Sequence, residues 1–473
     1  MKFISGPVLV QYGFATIVNL CSLIAAAWLV WPSSANIALL SGEIFPNVTA
    51  SEIANMVSLM DLGTMISPIP ASYLINIVGR KMVINATALM FIAASLLTVF
   101  AKAMWYIYIA RLLAGMGKGI AFGVIPVYLT EIAQLNLRGT MGSLFITAVS
   151  IGTLYGYVIG ASLSYQGVNI ANLVVAILFL TVGWLLPETP FYLLMKGKDK
   201  EAEKNLSILR HTHRGAASVK AEMEQVTAAI ESCKNGKARF IDIATSKSRR
   251  RALLIVIVTS SIQRLSGISP VLAYGPSILP PTGGGLKPDI YLVIFGVVLT
   301  VVNYLGAVLC ETSGRKRLML YSASSAGIVN FIFAVYFTLG TNGIDTSSFT
   351  WLPYLCLLLY GVTWSLGLGI MPPFLPSELY PTNVKSYASS ISAIILGLTS
   401  FGVNKAFGEV YVMHGGMEAM FYFFGSCSFL FSIFCVYFVI ETKGKTYQEI
   451  ETILKETVGE EEIELQLEES NKL

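Results

Sequence analysis

A chain of 473 residues in which 54% are hydrophobic and only 13% charged, with a mean hydropathy of +0.67, lies outside the balance of a water-soluble domain. The composition excludes a soluble enzyme and points to an integral membrane protein, because many apolar runs reach the roughly 18 residues needed to cross a hydrocarbon core of about 30 Å. The net charge of +4 is small and unevenly placed, which suggests no nucleic-acid partner, and in lipid such runs are expected to be helices that satisfy their own backbone polar groups.

In chain order, Lys2 leads straight into apolar sequence without a short apolar region ending at a cleavage site, so no removed signal peptide is expected. The apolar runs predict twelve spans, at 8–31, 52–75, 82–101, 104–128, 140–163, 169–187, 252–275, 289–310, 317–339, 351–376, 386–408 and 418–440. The expected fold is therefore an all-α integral membrane bundle of twelve transmembrane helices. One long polar stretch, about 188–251, separates an N-terminal half (1–187) from a C-terminal half (252–440), and residues 441–473 form an acidic tail.

The stretch 188–251 is rich in Lys and Arg, including Arg249, Arg250 and Arg251, and so are the short loops with Gly79-Arg80-Lys81, Arg138 and Arg315-Lys316-Arg317. That excess places these loops and both termini on the cytoplasmic side. Asn47-Val48-Thr49, in the first outer loop, is then an accessible glycosylation sequon. The six cysteines are scattered, mostly inside apolar runs, with no metal-ligand or disulfide spacing. The three histidines, His211, His213 and His414, fall in predicted loops. No metal, cofactor or enzymatic constellation is expected.

The two halves repeat each other. Gly79-Arg80-Lys81 after the second span returns as Gly314-Arg315-Lys316 after the eighth. Pro126, Glu131 and Arg138 return as Pro373, Glu378 and Lys385, and Glu188-Thr189 returns as Glu441-Thr442. Three stations in the same order define parallel six-helix pseudo-repeats, an architecture that places a substrate site between two rocking halves.

At these residues, together with Arg111, Gly115, Gly117, Gly119, Pro187, Gln263, Leu265-Ser266-Gly267, Pro381 and Lys443-Gly444-Lys445-Thr446, the chain resembles the sugar-porter branch of the major facilitator superfamily. The likeness is strongest to the insect facilitated trehalose and hexose transporters. The resemblance implies a cytoplasmic gate of ion pairs, drawn from the acids Glu131, Glu188, Glu311, Glu378 and Glu441 and the bases Arg80, Lys81, Arg111, Arg138, Arg315, Lys316 and Lys385. It also implies a neutral, hydroxyl-reading sugar cavity, for which the matching or neighbouring positions are Gln263, Arg264, Ser269 and Tyr274. Departures fall on that cavity. Arg264 and Ser269 replace a second glutamine and an asparagine, and Ile146, Leu299 and Pro373 stand where glutamine, asparagine and tryptophan are usual. At the gate, Asn76, Ile77 and Phe191 replace charged residues.

Ionisable residues inside spans cost roughly 2.5–3.5 kcal/mol on insertion scales and mark a cavity or a partner. Asp61, Lys118, Arg264 and Lys405 are such residues. Asp61 and Arg264 would neutralise one another, or Arg264 would contact an anionic substrate. Residues 8–40 contain no Asp or Glu, whereas proton-driven relatives carry an acid in the first span. The expectation is facilitative transport of a hexose or trehalose-like disaccharide by alternating access at the plasma membrane, with no requirement for an oligomer. A proton-coupled symporter, a carrier of an organic anion or other polar metabolite, and a non-transporting nutrient sensor remain the alternatives.

Overall fold

The structure, a computed structural model, describes residues 6–134, 137–235, 240–281, 285–381, 384–414, 416–445 and 447–457. The acidic run at 460–469 lies outside the described residues, as does the side chain of Glu311. The described chain is helical: α1 (Gly6–Leu40), α2 (Ala50–Ile66), α3 (Pro68–Ile77), α4 (Arg80–Val99), α5 (Met104–Ile132), α6 (Arg138–Ser162), α7 (Tyr165–Gly183), α8 (Pro190–Met195), α9 (Asp199–Leu209), α10 (Ala217–Asn235), α11 (Lys247–Leu265), α12 (Ile268–Ile278), α13 (Pro288–Ser313), α14 (Arg315–Thr341), α15 (Leu352–Leu366), α16 (Met371–Leu379), α17 (Lys385–His414), α18 (Met417–Tyr437) and α19 (Tyr447–Glu456). Among the described residues eleven helical stretches are long and apolar enough to cross a membrane. The twelfth span is α2 with α3, since α2 alone has 17 residues. The chain is a twelve-span, all-α, multi-pass membrane protein.

Three spans predicted as single helices are broken, each for a local reason. The second is divided at Ser67, which itself keeps helical angles, because Pro68 and Pro70 have no amide hydrogen to donate to the preceding turn. The seventh is divided between α11 and α12 at Gly267, whose φ is +99°. The Ser266 carbonyl exposed by that break accepts from Asn330 Nδ2 and Tyr360 Oη, both at 2.9 Å. The tenth is divided at Gly367 before the prolines that open α16. The first span errs the other way: α1 continues past Pro32 to Leu40. Its 35 residues extend about 52 Å, well beyond a hydrocarbon core.

Contacts divide the chain into two units that do not follow chain order. One holds 1–236, 270–300 and 404–414, and the other holds 237–269, 301–403 and 415–473. In the first, α1 packs on α6, α5 and α7, α2 on α5, and α4 on α5 and α7. In the second, α14 packs on α18 and α15, and α11 on α16, α18 and α19.

Small residues set the α2–α5 distance. A Cβ on Gly119 would lie 2.7 Å from the Thr64 carbonyl oxygen, and one on Gly115 would run into the Met60 carbonyl. Helices in lipid associate through such close approaches, because no hydrophobic force separates protein from solvent there. Gly115→Leu should therefore cost about 1–3 kcal/mol or more by overpacking, read as a lower thermal midpoint in detergent. Gly142→Ala, with nothing within 4 Å of the added carbon, should leave the midpoint unchanged or higher.

Candidate functional site

At the turn between α3 and α4, Gly79 has a φ of +98°, and a Cβ there would strike the Glu188 carboxylate. The turn aims the first amides of α4 at that carboxylate. Arg80 N–H donates to Glu188 Oε1 at 3.0 Å, Lys81 N–H to Oε2 at 3.2 Å, and Thr189 N–H to Oε1 at 2.9 Å. An anion is favoured here because the first amides of a helix have no partner within it and carry its positive dipole end. Burial pushes the Glu188 carboxyl above the usual carboxylate range, opposed by these amides and by the Arg80 charge.

Arg80 then turns its side chain to a different acid. Its Nε and Nη2 donate to Glu131 Oε1 at 3.3 and 3.0 Å, and Nη1 donates to the Ile75 carbonyl at 3.2 Å. The guanidinium lies 5.5 Å from the Phe191 ring centroid and 5.6 Å from that of Tyr192. Phe191, where a charged residue is usual, thus serves as a cation–π face. Lys81 Nζ donates to the Trp184 carbonyl at 2.8 Å.

The second unit rebuilds this arrangement nearly atom for atom. Gly314 has a φ of +90°. Glu441 accepts from Arg315 N–H at 2.9 Å and Lys316 N–H at 3.2 Å, and Lys443 N–H takes the part of Thr189 at 3.0 Å. Arg315 Nε and Nη2 donate to Glu378 Oε1 at 3.3 and 3.2 Å, and Nη1 to the Cys310 carbonyl at 3.2 Å. Lys316 Nζ donates to the Val436 carbonyl at 2.9 Å. One difference matters. The Arg80 and Glu131 side chains are 4% and 14% exposed, against 20% and 24% for Arg315 and Glu378, so losing a partner strands a more deeply buried charge in the first cluster.

Not every expected gate residue joins these clusters. Arg138 and Lys385 are exposed at the starts of α6 and α17. Arg111 sits on α5 about 30 Å along the helix from Glu131, and it donates to the carbonyls of Trp28 at 2.6 Å and Met56 at 3.3 Å with Trp31 across its face. It therefore belongs to the opposite end of the bundle from the Arg80 cluster. The family motif carries it, but its hydrogen-bond partners are carbonyls, and the acid whose charge it meets is Asp61 rather than a gate glutamate.

Among the expected substrate residues, Gln263 Nε2 donates to the Gly369 carbonyl at 3.0 Å in the irregular segment before α16. Arg264 Nη1 donates to Ser269 Oγ at 3.3 Å, and Ser269 shares a 3.0 Å hydrogen bond with Ser400. Tyr274 is buried, its ring 5.3 Å from that of Phe407. Asp61 takes partners other than Arg264: Lys118 Nζ lies 3.8 Å from its Oδ1, and Asn404 Nδ2 donates to its Oδ2 at 2.6 Å. Lys405 pairs with Glu409 at 2.6 Å and with Asn55. Asn404 is harder to single out in the sequence because a neutral amide costs less to bury than a charge. Its position beside Lys405 in an apolar span was the available signal.

A twelve-span bundle with a matching ionic clamp in each half has the build of a membrane transporter. The family model described as sugar (and other) transporter matches residues 12–454. The chain belongs to that family. It is 31% identical over 405 residues to a facilitated trehalose transporter of Polypedilum vanderplanki, covering 85% of this chain and 80% of that protein. It is 30% identical over 415 residues to a facilitated trehalose transporter of Drosophila erecta, covering 86% of this chain but only 48% of that protein. An inward-open xylose transporter from E. coli superposes with a TM-score of 0.79 at 21% identity, over 94% of this chain and 99% of that one, a likeness of fold.

The clamp gives a direct test. Glu188→Ala leaves the amides of Arg80, Lys81 and Thr189 without their acceptor, which should cost about 1–3 kcal/mol of stability and lower the thermal midpoint in detergent. Glu188→Gln, which keeps one acceptor oxygen, should fall between the two.

Proposed function

We propose that this protein carries a neutral sugar, a hexose or trehalose-like disaccharide, down its gradient by alternating access. The observation that carries this reading is the duplicated clamp, Arg80 with Glu131 and Glu188 in one half and Arg315 with Glu378 and Glu441 in the other. Two equivalent clamps on basic turns are what a symmetric gate needs if each half rocks as a body. Each joins residues of its own half through hydrogen bonds and an ion pair near the ends of its spans, so it holds that half's basic turn in one shape while the half moves. Alternating states must lie within a few kcal/mol of one another.

Facilitated rather than proton-driven movement is supported by α1, whose buried polar side chains, among them Gln11, Asn19, Ser22, Ser33 and Asn36, are all uncharged. The buried carboxylate of Asp61 is already met by Lys118. The Lys/Arg excess in the 188–251 segment and the Gly-Arg-Lys turns supports cytoplasmic termini. Asn47, exposed in the 41–49 loop, would then face outward for glycosylation.

The test is uptake of labelled trehalose and glucose into liposomes, with and without an imposed proton gradient. Saturable uptake of at least one, unchanged by the gradient, is the expected result. Accumulation that requires the gradient would overturn the facilitative reading, and absence of saturable uptake of either would overturn the sugar.

A further inference from the structure

We propose that Asp61 anchors a second, polar latch, at the end of the first unit away from its Gly-Arg-Lys turn, and that this latch closes that end by holding α17 residues 404–408 against α2. The inference deepens the alternating-access reading and rests on it.

Four positions on one stretch of α17 meet α2 and α12 in the first unit. Asn404 Nδ2 donates to Asp61 Oδ2 at 2.6 Å. The Lys405 ammonium meets Asn55 Oδ1 one and a half turns earlier on α2, and is steadied by Glu409 Oε1 at 2.6 Å. The Phe407 ring lies 5.3 Å from that of Tyr274. Gly408 comes so close that a Cβ there would sit 2.5 Å from Ala54 Cβ and 2.7 Å from the Tyr274 hydroxyl. Residues 404, 405 and 408 fall on one helical face by spacing. The contact is thus both polar and sterically fitted, and glycine at 408 is what allows it.

The arrangement of charge makes this contact reversible. A lone carboxylate at the Asp61 position, 3% exposed, would be costly whenever its partner left. The charges that compensate it both lie on α5, in the ion pair with Lys118 and in the nearby guanidinium of Arg111, and α5 is packed on α2 through Gly115 and Gly119. That ion pair therefore persists whether or not α17 is present. What α17 contributes at Asp61 is a neutral amide, which can leave without stranding an ion and can be replaced by water. A static charge pair with a detachable amide is the construction expected of a latch that must open in every cycle.

The latch is tested by the reactivity of a buried thiol. In the full-length protein in detergent, Ala54→Cys, which faces Gly408, should react slowly with a maleimide, followed site by site by peptide mass spectrometry. Adding Asn404→Ala, which leaves the Asp61–Lys118 pair intact, should speed that labelling by about tenfold, as expected for loss of one hydrogen bond to a charged group. Asn404→Ser, which keeps a donor, should restore part of the protection. The proposal is overturned if labelling with Asn404→Ala stays within about twofold of the parent. It is equally overturned if labelling rises as much at Ala176→Cys, buried in α7, which would report general loosening instead of opening. The readout does not depend on which solute is carried, so failure of the latch and failure of the sugar reading are separable.

Discussion

The free amides at the start of a helix need an acceptor, and in this chain that requirement is met twice by a glutamate brought from far away in the sequence. Glu188 reaches the first turn of α4 across 107 residues, and Glu441 reaches the first turn of α14 across 125. Each carboxylate fixes where its helix begins, which fixes where the next side chain, Arg80 or Arg315, can point. Only then can the arginine reach Glu131 or Glu378. The ion pair is the second step of the construction, and the helix cap is the first.

This order explains the role of glycine at 79 and 314. Both hold a left-handed φ and both leave room for the capping carboxylate. A side chain at either position would block the cap and release the arginine, although neither glycine touches the ion pair. It also explains how Phe191 can stand where a charge is usual. The guanidinium is already held by Glu131 and the Ile75 carbonyl, so an aromatic face is sufficient on its remaining side.

Much of this was legible in the sequence, because the duplicated stations pair the same residue types in both halves and hydropathy finds the spans. The breaks at Ser67 and Gly367 were not, since a few prolines and glycines lower the mean hydropathy of a long apolar run too little to divide it. Arg111 was grouped with the wrong end because motif membership says nothing about depth along a helix, whereas counting 20 residues from Glu131 would have separated them. For Asp61, the sequence identified a buried charge without its partner. Lys118 was singled out separately, and Asn404 not at all, because contacts between spans distant in sequence leave no periodic signal. The substitutions Ile146, Leu299 and Pro373 at positions usually occupied by sugar-reading groups have no structural explanation here.

The central claim is that the arginine and its acid act as one coupled unit in each half. It is tested most directly by double-mutant cycles on saturable sugar uptake, with Arg80→Gln and Glu131→Gln in the first half and Arg315→Gln and Glu378→Gln in the second. Coupling of about 1–3 kcal/mol in both cycles, larger in the more buried first pair, is the result the structure requires. Coupling near zero in both, with the single substitutions simply adding, would contradict it.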